Sequence, residues 1–384
     1  MTRVAVIVGT RPDVIKLAPV VHALRATADL EPYVIASGQH RELADLALAS
    51  IGLDPDVRLE VMQADQSLAT VGSRLLAGLD GALEAASPAF VVVQGDTATT
   101  LNGALAAFYR RLPVGHVEAG LRTGNLQAPF PEEANRRLVT PLASLHFAPT
   151  TLARDNLLAE GVEPERVFVT GNTIVDALHA EAARQDRPDV AASLAERVAG
   201  RLGETWRDRP SVLVTVHRRE SIGPGLLGII EALASLSERF SDHLFCLPVH
   251  LNPSVRAAVL GRLGGLANVR LLEPLAYDEL VYLLRHCRLV LTDSGGIQEE
   301  APVFGKPVVV MRATTERPEG VEAGVAVLAG VERERIVTAA AQLLGDERAY
   351  GRLAQAVSPY GDGRAAGRIA QAIARYLAPE TGTA

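Results

Sequence analysis

Short apolar runs rich in β-branched residues alternate with longer helical patterns along almost the whole chain. This alternation is typical of parallel sheets covered by helices, so the sequence predicts the α/β class of fold. In the first half we predict strands near 3–8, 32–37, 89–93, 114–117 and 166–169, and in the second half near 212–216, 245–249, 269–272, 289–292 and 307–311.

A polar, helix-favouring segment at 182–209 separates the two sets of predicted strands. Its QDRPDV and WRDRP runs carry the breakers and charges expected near a domain joint. Two doubly wound, Rossmann-like domains are the simplest account, with 1–170 in the first and 171–363 in the second. The last helical pattern, at 364–384, could pack back on the first domain or on the second, and the sequence does not decide between them. Ligands of such sheets bind beyond the carboxyl ends of the strands, so we expect the domains to face a cleft.

The composition excludes several classes of protein. The 384 residues carry a formal net charge of -7, whereas binding a phosphate backbone needs a basic surface, so nucleic acid is not an expected partner. Cys246 and Cys287 have no metal-like spacing and cannot form a disulfide framework, which favours a reducing cytoplasm. The apolar run VAVIVG is too short for a leader or a membrane span, and no later run reaches spanning length. We expect a cytoplasmic protein with no structural zinc site.

The segment LTDSGGIQEEAPVFGKPVVVMRATTERPEG, at 291–320, favours an anion site. A buried strand leads into Ser294, Gly295 and Gly296, where backbone N–H groups and the dipole of a new helix favour a phosphate. Glu300, one turn on, has two oxygens that can accept from ribose hydroxyls, and Arg317 adds a fork of donors. The alternative is an ordinary strand–helix turn with Ser294 as N-cap and Glu300 on a solvated face.

Unusual polar groups fall repeatedly just after the predicted strands, where open α/β sheets place their ligands. These groups are Gly9-Thr10-Arg11 with Lys16 behind it, Gln39-His40-Arg41, Gln94-Gly95-Asp96, His116-Val117-Glu118, His217-Arg218-Arg219-Glu220, His250 and Ser294-Gly295-Gly296. Core packing or helix capping does not explain such a repeated position. We interpret His217 and its basic neighbours as phosphate contacts, the alternative being a basic surface patch.

The candidate carboxylates have alternatives of their own. Asp96 could serve only as the cap of the following helix. Glu118 could be merely solvated, although a carboxylate at the end of a central strand is costly unless it is paired or used. Glu132 resembles a first-turn acid favoured by the helix dipole, with Arg136 as its i,i+4 partner.

A run at 223–228, GPGLLG, formally matches the dinucleotide fingerprint G-x-G-x-x-G. The fingerprint requires its glycines immediately after a strand, whereas HRRESI intervenes here and a proline occupies the tight turn. We therefore expect no nicotinamide cofactor.

At this point the motifs identify a family resemblance. GTRPDVIKLAPV, SGQHREL, VQGDTATTL, GHVEAGLRTGN, PFPEEANRR, TGNTIVDAL, HRRES, PVHLNP and the 291–320 segment resemble, in this order, the non-hydrolysing UDP-N-acetylglucosamine 2-epimerases of bacteria. The similarity spans nearly the whole chain, and several of the motifs are long. It implies a two-domain fold like that of the GT-B glycosyltransferases, with no metal and no cofactor.

The resemblance also implies roles for particular residues. The three positions that match the catalytic carboxylates of the family are Asp96, Glu118 and Glu132. The positions that match its UDP-binding residues are Arg11, Lys16, His217, Ser294, Gly295, Gly296, Glu300 and Arg317, and two further matches near the active site are Arg136 and His250. The substrates implied are UDP-N-acetylglucosamine and UDP-N-acetylmannosamine, the sugar supplied is a precursor of cell-surface polysaccharide, and the expected assembly is a homodimer.

Five positions depart from the family pattern, namely Asp13 in place of Glu, Val216 in place of Gly or Ala, Gln127-Ala128 in place of Tyr-Ser, and Ala313 in place of Asp. The carboxylate lost at Ala313 stands beside Arg317 in sequence, so the geometry of that loop is open. Three other functions remain as alternatives: a hydrolysing 2-epimerase that releases UDP and N-acetylmannosamine, a GT-B glycosyltransferase, and a nucleotide-sugar sensor.

Overall fold

The computed structural model describes residues 1–39, 41–63, 66–216, 224–249 and 253–378. Contacts within the chain divide it into two compact units. Unit 1 comprises Met1–Ala177 with Tyr360–Ala384, and unit 2 comprises Leu178–Pro359. None of the helices in the described ranges is long and apolar enough to cross a membrane.

Unit 1 contains a seven-stranded sheet in the order β3-β2-β1-β4-β5-β6-β7, and all of its paired strands are parallel. The strands are β1 (Thr2–Val8), β2 (Leu30–Ala36), β3 (Val57–Arg58), β4 (Phe90–Gln94), β5 (Val114–Val117), β6 (Leu145–Ala148) and β7 (Val167–Val169). The helices in chain order are α1 (Arg11–Ala26), α2 (Arg41–Ser50), α3 (Leu68–Ala86), α4 (Ala98–Tyr109), α5 (Glu132–Val139), α6 (Thr151–Ala159) and α7 (Thr173–Gln185), the last of which continues into unit 2.

Unit 2 contains a six-stranded parallel sheet in the order β10-β9-β8-β11-β12-β13. Its strands are β8 (Ser211–Thr215), β9 (Leu244–Pro248), β10 (Val269–Leu272), β11 (Leu289–Thr292), β12 (Val308–Val310) and β13 (Ala326–Leu328). Its helices are α8 (Pro188–Leu202), α9 (Pro224–Arg239), α10 (Pro253–Leu263), α11 (Tyr277–His286), α12 (Gly295–Glu300), α13 (Pro318–Glu322), α14 (Arg333–Gly345) and α15 (Glu347–Ala354).

The final helix, α16 (Ala365–Leu377), belongs to unit 1 although it ends the described chain. Its buried face includes Ile369 and Ile373, which join the same apolar cluster as Leu17 and Val21 of α1. The N-terminus of α16 is held from α7, because the carboxylate of Asp176 accepts from the N–H groups at its first two positions at 3.2 and 2.9 Å. The last segment of the chain thus completes the core of the first unit.

The strand order determines where ligands can approach each sheet. β1 lies between β2 and β4, and β8 lies between β9 and β11, so the chain reverses its direction of winding beside both strands. Such switch points open a crevice at the carboxyl ends of the strands. The groups that follow β1 and β4 in unit 1, and those that follow β8 and β11 in unit 2, therefore stand where ligands of this fold class bind.

The predicted α/β class, with two Rossmann-like parallel sheets, is confirmed. Three strands were missed: β3, β6 and β13. β3 has two residues, and β6 reads LHFA, in which a histidine interrupts the apolar run and no residue is β-branched. β6 is nevertheless fully buried because it lies between β5 and β7, a tertiary effect that its own composition does not signal.

Candidate active site

The start of α1 is organised by a buried carboxylate. Asp13 accepts from the N–H groups of Gly9 at 3.2 Å and Thr10 at 3.0 Å, while the hydroxyl of Thr10 accepts from the N–H of Asp13. This is a capping box, and it fixes the turn that presents Arg11 as the first residue of the helix. Burial raises the pKa of Asp13 to about 7, against the opposing effect of its hydrogen bonds to Thr10.

Glu118 follows β5 and is buried rather than solvated. Its side chain is 7% exposed, and one oxygen, Oε2, accepts from both Lys16 of α1 and Gln94 of β4, the latter at 2.7 Å. Its backbone has φ +63°, a left-handed conformation that is uncommon outside glycine. The alternative that Glu118 is only solvated is therefore wrong. Lys16, expected beside UDP, is a buried ion-pair partner of Glu118.

Asp96 follows β4 and is not the cap of α4. That position belongs to Thr97, whose hydroxyl accepts from the N–H of Thr100 at 3.2 Å. The Asp96 carboxylate instead accepts from Arg136, and its backbone carbonyl accepts from Asn135 at 2.8 Å. Two adjacent residues of α5 thus hold Asp96 by its side chain and by its backbone.

The first turn of α5 carries two acids with different environments. Glu132 is the first residue of the helix, is partly exposed, and makes no ion pair with the rest of the described chain. The i,i+4 pair with Arg136, considered as the alternative role of Glu132, does not form, because Arg136 donates to Glu133 at 3.3 Å and to Asp96. Glu133 is fully buried and also accepts from the N–H groups of Thr123 and Gly124, each at 3.1 Å. Glu133 is thus a structural clamp on the preceding loop.

Two buried histidines lie beneath this edge of the sheet. His116 of β5 and His146 of β6 are register partners, and both are 0% exposed. His116 Nε2 lies 2.8 Å from the carbonyl oxygen of Gly95, and because a carbonyl only accepts, this nitrogen carries the proton. Burial lowers the pKa of His116 to about 4 and that of His146 to about 3, so both rings are neutral near pH 7.

In unit 2 the turn from β11 into α12 has the shape that the sequence predicted. Ser294 occupies the N-cap position, but its hydroxyl makes no capping hydrogen bond, and its N–H donates to the hydroxyl of Thr292 at 2.9 Å. Gly296 is partly exposed, and a Cβ there would lie 3.3 Å from Glu300 Oε1. The first turn of α12 thus brings the backbone of Gly296 and the carboxylate of Glu300 together.

Gly295 lies against the ends of the Arg317 and Glu316 side chains in unit 2. A Cβ at this position would lie 2.7 Å from Arg317 Nη1 and 2.8 Å from Glu316 Oε1. Arg317 is buried and pairs with Glu299 and, at 2.7 Å, with Glu316, which also accepts from Arg312 at 2.6 Å. This buried network holds Arg317 through carboxylates of its own unit.

Ala313, at which the family pattern has Asp, is exposed. Since Glu299 and Glu316 both pair with Arg317, the loop does not depend on a carboxylate at position 313 for that ion pairing. Two other predicted site residues, His217 and His250, lie outside the described residues. Over the described ranges no cluster of three or more His, Cys, Asp or Glu side chains has the arrangement of a metal site.

The family model for UDP-N-acetylglucosamine 2-epimerase matches residues 22–374. The chain belongs to the UDP-N-acetylglucosamine 2-epimerase family. The UDP-N-acetylglucosamine 2-epimerase of Yersinia pestis is 48% identical over 354 residues, which cover 92% of this chain and 93% of the relative. The enzyme of the same name from Escherichia coli K12 is also 48% identical, with the same coverage of both chains.

A solved structure gives the same family. The crystal structure of the Neisseria meningitidis UDP-GlcNAc 2-epimerase, bound to UDP-GlcNAc, matches with a TM-score of 0.92 and 40% sequence identity. The match covers 98% of this chain and 100% of that one. Membership of the family thus rests on sequence and on fold together.

Sequence reasoning missed three residues that support the candidate carboxylates, namely Gln94, Asn135 and Glu133. Gln94 stands in the post-strand group Gln94-Gly95-Asp96, in which the predicted role falls on Asp96. Gln94 carried a usable signal, because it is the single polar residue of β4 and ends a buried strand. Asn135 and Glu133 gave no such signal, since charged and amide residues in the first turns of a helix usually face water.

Proposed function

We propose that this protein is a non-hydrolysing epimerase that interconverts UDP-N-acetylglucosamine and UDP-N-acetylmannosamine. The observation that carries the proposal is that two carboxylates, Asp96 and Glu118, follow the neighbouring strands β4 and β5, and each is held by its own cation. The family membership and the substrate bound in the Neisseria relative supply the substrate class. By the same family argument, the N-acetylmannosamine unit would serve cell-surface polysaccharide.

The chemistry explains why several carboxylates are needed. The carbon to be inverted, C2, lies beside an acetamide rather than a ketone, so its proton is barely acidic and direct abstraction would be slow. In the proposed route the C1–O bond to UDP breaks with its electron pair leaving on the diphosphate, and C2 loses its proton. The electrons of the C2–H bond form a C1=C2 double bond, which gives the intermediate 2-acetamidoglucal with UDP still bound. UDP then adds back to C1 as a proton returns to the opposite face of C2.

We assign proton transfer and stabilisation of the positive charge that develops on the sugar to Asp96, Glu118 and Glu132. Glu118 is held by Lys16 and Gln94, and Asp96 by Arg136, so their positions are fixed before substrate arrives. Glu132 is partly exposed at the start of α5, which leaves it accessible to a ligand. The structure supports this set of three without dividing the roles of acid and base among them.

We assign the diphosphate leaving group to N–H donors and cations. Gly296 is partly exposed in the first turn of α12, where N–H groups of the backbone lack helical partners. Arg11 heads α1 and supplies a guanidinium, and the family pattern adds His217 and His250. Glu300 is our candidate for the ribose hydroxyls. Arg317 is a further candidate for binding the UDP part, and its pairs with two buried carboxylates hold its guanidinium in place.

NMR of the protein with UDP-N-acetylglucosamine in D2O tests the proposal. The expected result is UDP-N-acetylmannosamine with deuterium at C2 and with the bond to UDP retained at equilibrium. Free N-acetylmannosamine and UDP would replace the proposal with a hydrolysing epimerase, and no turnover would replace it with a transferase or a sensor. The Asp96→Asn variant is the matched control, since it should bind UDP but leave the C2 proton unexchanged.

A further inference from the structure

Gln94 is the last residue of β4 and is 4% exposed. Its side-chain nitrogen lies 2.7 Å from Glu118 Oε2. An ionised carboxylate only accepts hydrogen bonds, so the amide is oriented with its NH2 group toward Glu118. The other end of the amide, Oε1, is buried and has no hydrogen-bond donor in the described part of the chain.

An unpaired buried amide oxygen lowers the stability of the folded protein, because it loses its hydrogen bond to water without gaining another. The rest of β4 is Phe-Val-Val-Val, and an apolar side chain of similar size would fill the position without leaving a polar atom unsatisfied. What glutamine offers here, and leucine or methionine would not, is an N–H donor aimed at Glu118. Because the unpaired Oε1 costs stability, we infer that the hydrogen bond from the Gln94 amide nitrogen to Glu118 has a functional role.

We propose that Gln94 is a positioning residue that holds Glu118 in its ionised form and in the orientation needed for proton transfer at C2. This inference deepens the proposed function and rests on it for the role of Glu118. Gln94 acts through the hydrogen bond to Glu118 Oε2. The left-handed backbone at Glu118 leaves the side chain dependent on such partners for its direction.

The charge of Glu118 is set by a small group of neighbours. In the described part of the chain, the charged or titratable side chains at this edge of unit 1 include Arg11, Asp13 and Lys16 of α1, Asp96 after β4, His116 of β5, Arg122 after β5, and Glu132, Glu133 and Arg136 of α5. His116 and its register partner His146 remain neutral above pH 5, because burial keeps the pKa of each well below that value. Lys16 and Gln94 donate directly to Oε2, and only Gln94 does so without bringing a charge.

Removing the donor should make Glu118 harder to ionise. In Gln94→Leu we expect the pKa of Glu118 to rise, because the charged form loses the hydrogen bond from the Gln94 amide. The direct measurement is a carboxyl ¹³C NMR titration with labelled glutamate, in which Glu118→Gln assigns the resonance. In turnover, kcat should fall about tenfold while KM for UDP-N-acetylglucosamine changes less than about twofold, since the contact is to a reacting group rather than to UDP.

Gln94→Glu provides a signature that packing cannot imitate. It keeps the shape of the side chain but places a second carboxyl group next to Glu118 Oε2. Two carboxyl groups at hydrogen-bond distance share a proton, so one of the two pKa values should rise by more than in Gln94→Leu. The limb of the pH–kcat profile that reports ionisation of Glu118 should lie at the lowest pH in the wild type, at a higher pH in Gln94→Leu and at the highest pH in Gln94→Glu.

The control is Thr170→Val, which removes a hydrogen bond elsewhere in unit 1, from the hydroxyl of Thr170 to the carbonyl oxygen of Gly171 at 2.9 Å. It should lower the melting temperature without moving the Glu118 resonance or the pH profile. If the Glu118 titration is the same in wild type, Gln94→Leu and Gln94→Glu, the inference is overturned. Because the NMR titration needs no turnover, that result is distinct from an inactive wild type, which would overturn the proposed function instead.

Discussion

Arg136 donates to the carboxylate of Asp96 from a position 40 residues further along the chain. The adjacent Asn135 holds the carbonyl oxygen of the same aspartate, and Arg136 also contacts the buried carboxylate of Glu133. One turn of α5 therefore fixes the loop that follows β4. The position of Asp96 depends on this helix as much as on its own strand.

Replacing Arg136 should damage both stability and turnover. Arg136→Met leaves Glu133 fully buried without its cation, so we expect a loss on the order of 3 kcal/mol in the free energy of unfolding. We also expect kcat to fall by about tenfold or more because Asp96 loses its direction. Arg136→Lys should have a stability and a kcat between those of the wild type and Arg136→Met. An ammonium keeps the charge but lacks the planar fork that reaches two carboxylates. Urea denaturation and the epimerase assay measure the two effects.

Arg110 offers the matched comparison. It forms a two-point pair with Asp80, at 2.6 and 2.9 Å, but on a partly exposed surface between α3 and α4. Exposed pairs of this kind contribute little to stability. Arg110→Met should therefore leave both unfolding and turnover near the wild-type values. An equal effect of the two methionine variants would contradict the role given to Arg136.

Removing the charge of each candidate carboxylate should reduce turnover by orders of magnitude. Asp96→Asn, Glu118→Gln and Glu132→Gln should each lower kcat by about 10² to 10⁴, the range for loss of a general acid or base. Glu118→Gln should also reduce stability, because Lys16 is buried and would lose its carboxylate partner. Glu132→Gln should leave stability nearly unchanged, since Glu132 has no ion pair in the described part of the chain.

Glu160→Gln is the control for these three variants. Glu160 pairs with Arg122 through both carboxylate oxygens, at 2.8 and 2.7 Å, and stands at the C-terminal end of α6. It should lose some stability and keep its turnover. Near-normal rates in all three test variants would remove the carboxylates from the mechanism.

The two glycines of α12 should respond differently to the same substitution. Gly295→Ala places a methyl group against Arg317 and Glu316, so we expect a loss of about 1–3 kcal/mol from overpacking in a buried ion network. Gly296→Ala has more room and lies in the first turn of a helix, so its free energy of unfolding should stay within about 1 kcal/mol of the wild type.

Binding of UDP should show the opposite order. The methyl group of Gly296→Ala would stand on the partly exposed backbone that we assign to the diphosphate, so UDP should bind at least about tenfold more weakly by calorimetry. A Gly296→Ala variant with unchanged UDP affinity would remove α12 from the leaving-group site. Since Gly295→Ala tests packing alone, each variant serves as the control for the other.

The location of the candidate site follows from sequence because strand ends are predictable. Gln94, Asp96 and Glu118 each end or follow a recognisable apolar run, and parallel strands bring such positions to one edge of the sheet. The partners of these residues do not follow from sequence in the same way. Spacing along a helix pairs Arg136 with Glu132, whereas packing of α5 turns it toward Asp96.

The same limit applies to burial and to short strands. Lys16 and Glu133 look like solvated charges in sequence, yet both are buried because tertiary partners meet them there. β6 lacks β-branched residues, and its strand state comes from β5 and β7 on either side. Local patterns thus determine the fold class and the site edge, while long-range contacts determine which charge meets which.

Asp13 should make the stability of the protein depend on pH in an unusual direction. Its pKa is raised from 3.8 to about 7 by burial, so between these values the unfolded chain releases a proton that the folded protein keeps. The folded state then binds more protons than the unfolded state, and the free energy of unfolding falls as pH rises from about 4 to about 7. Asp13→Asn should abolish this contribution, at most on the order of 4 kcal/mol, because the amide stays neutral. Urea unfolding of both proteins across this pH range is the measurement. The free energy of unfolding of Asp13→Asn relative to the wild type should increase up to about pH 7 and then level off. A difference that stays constant with pH would show that the pKa of Asp13 is not raised in the folded protein.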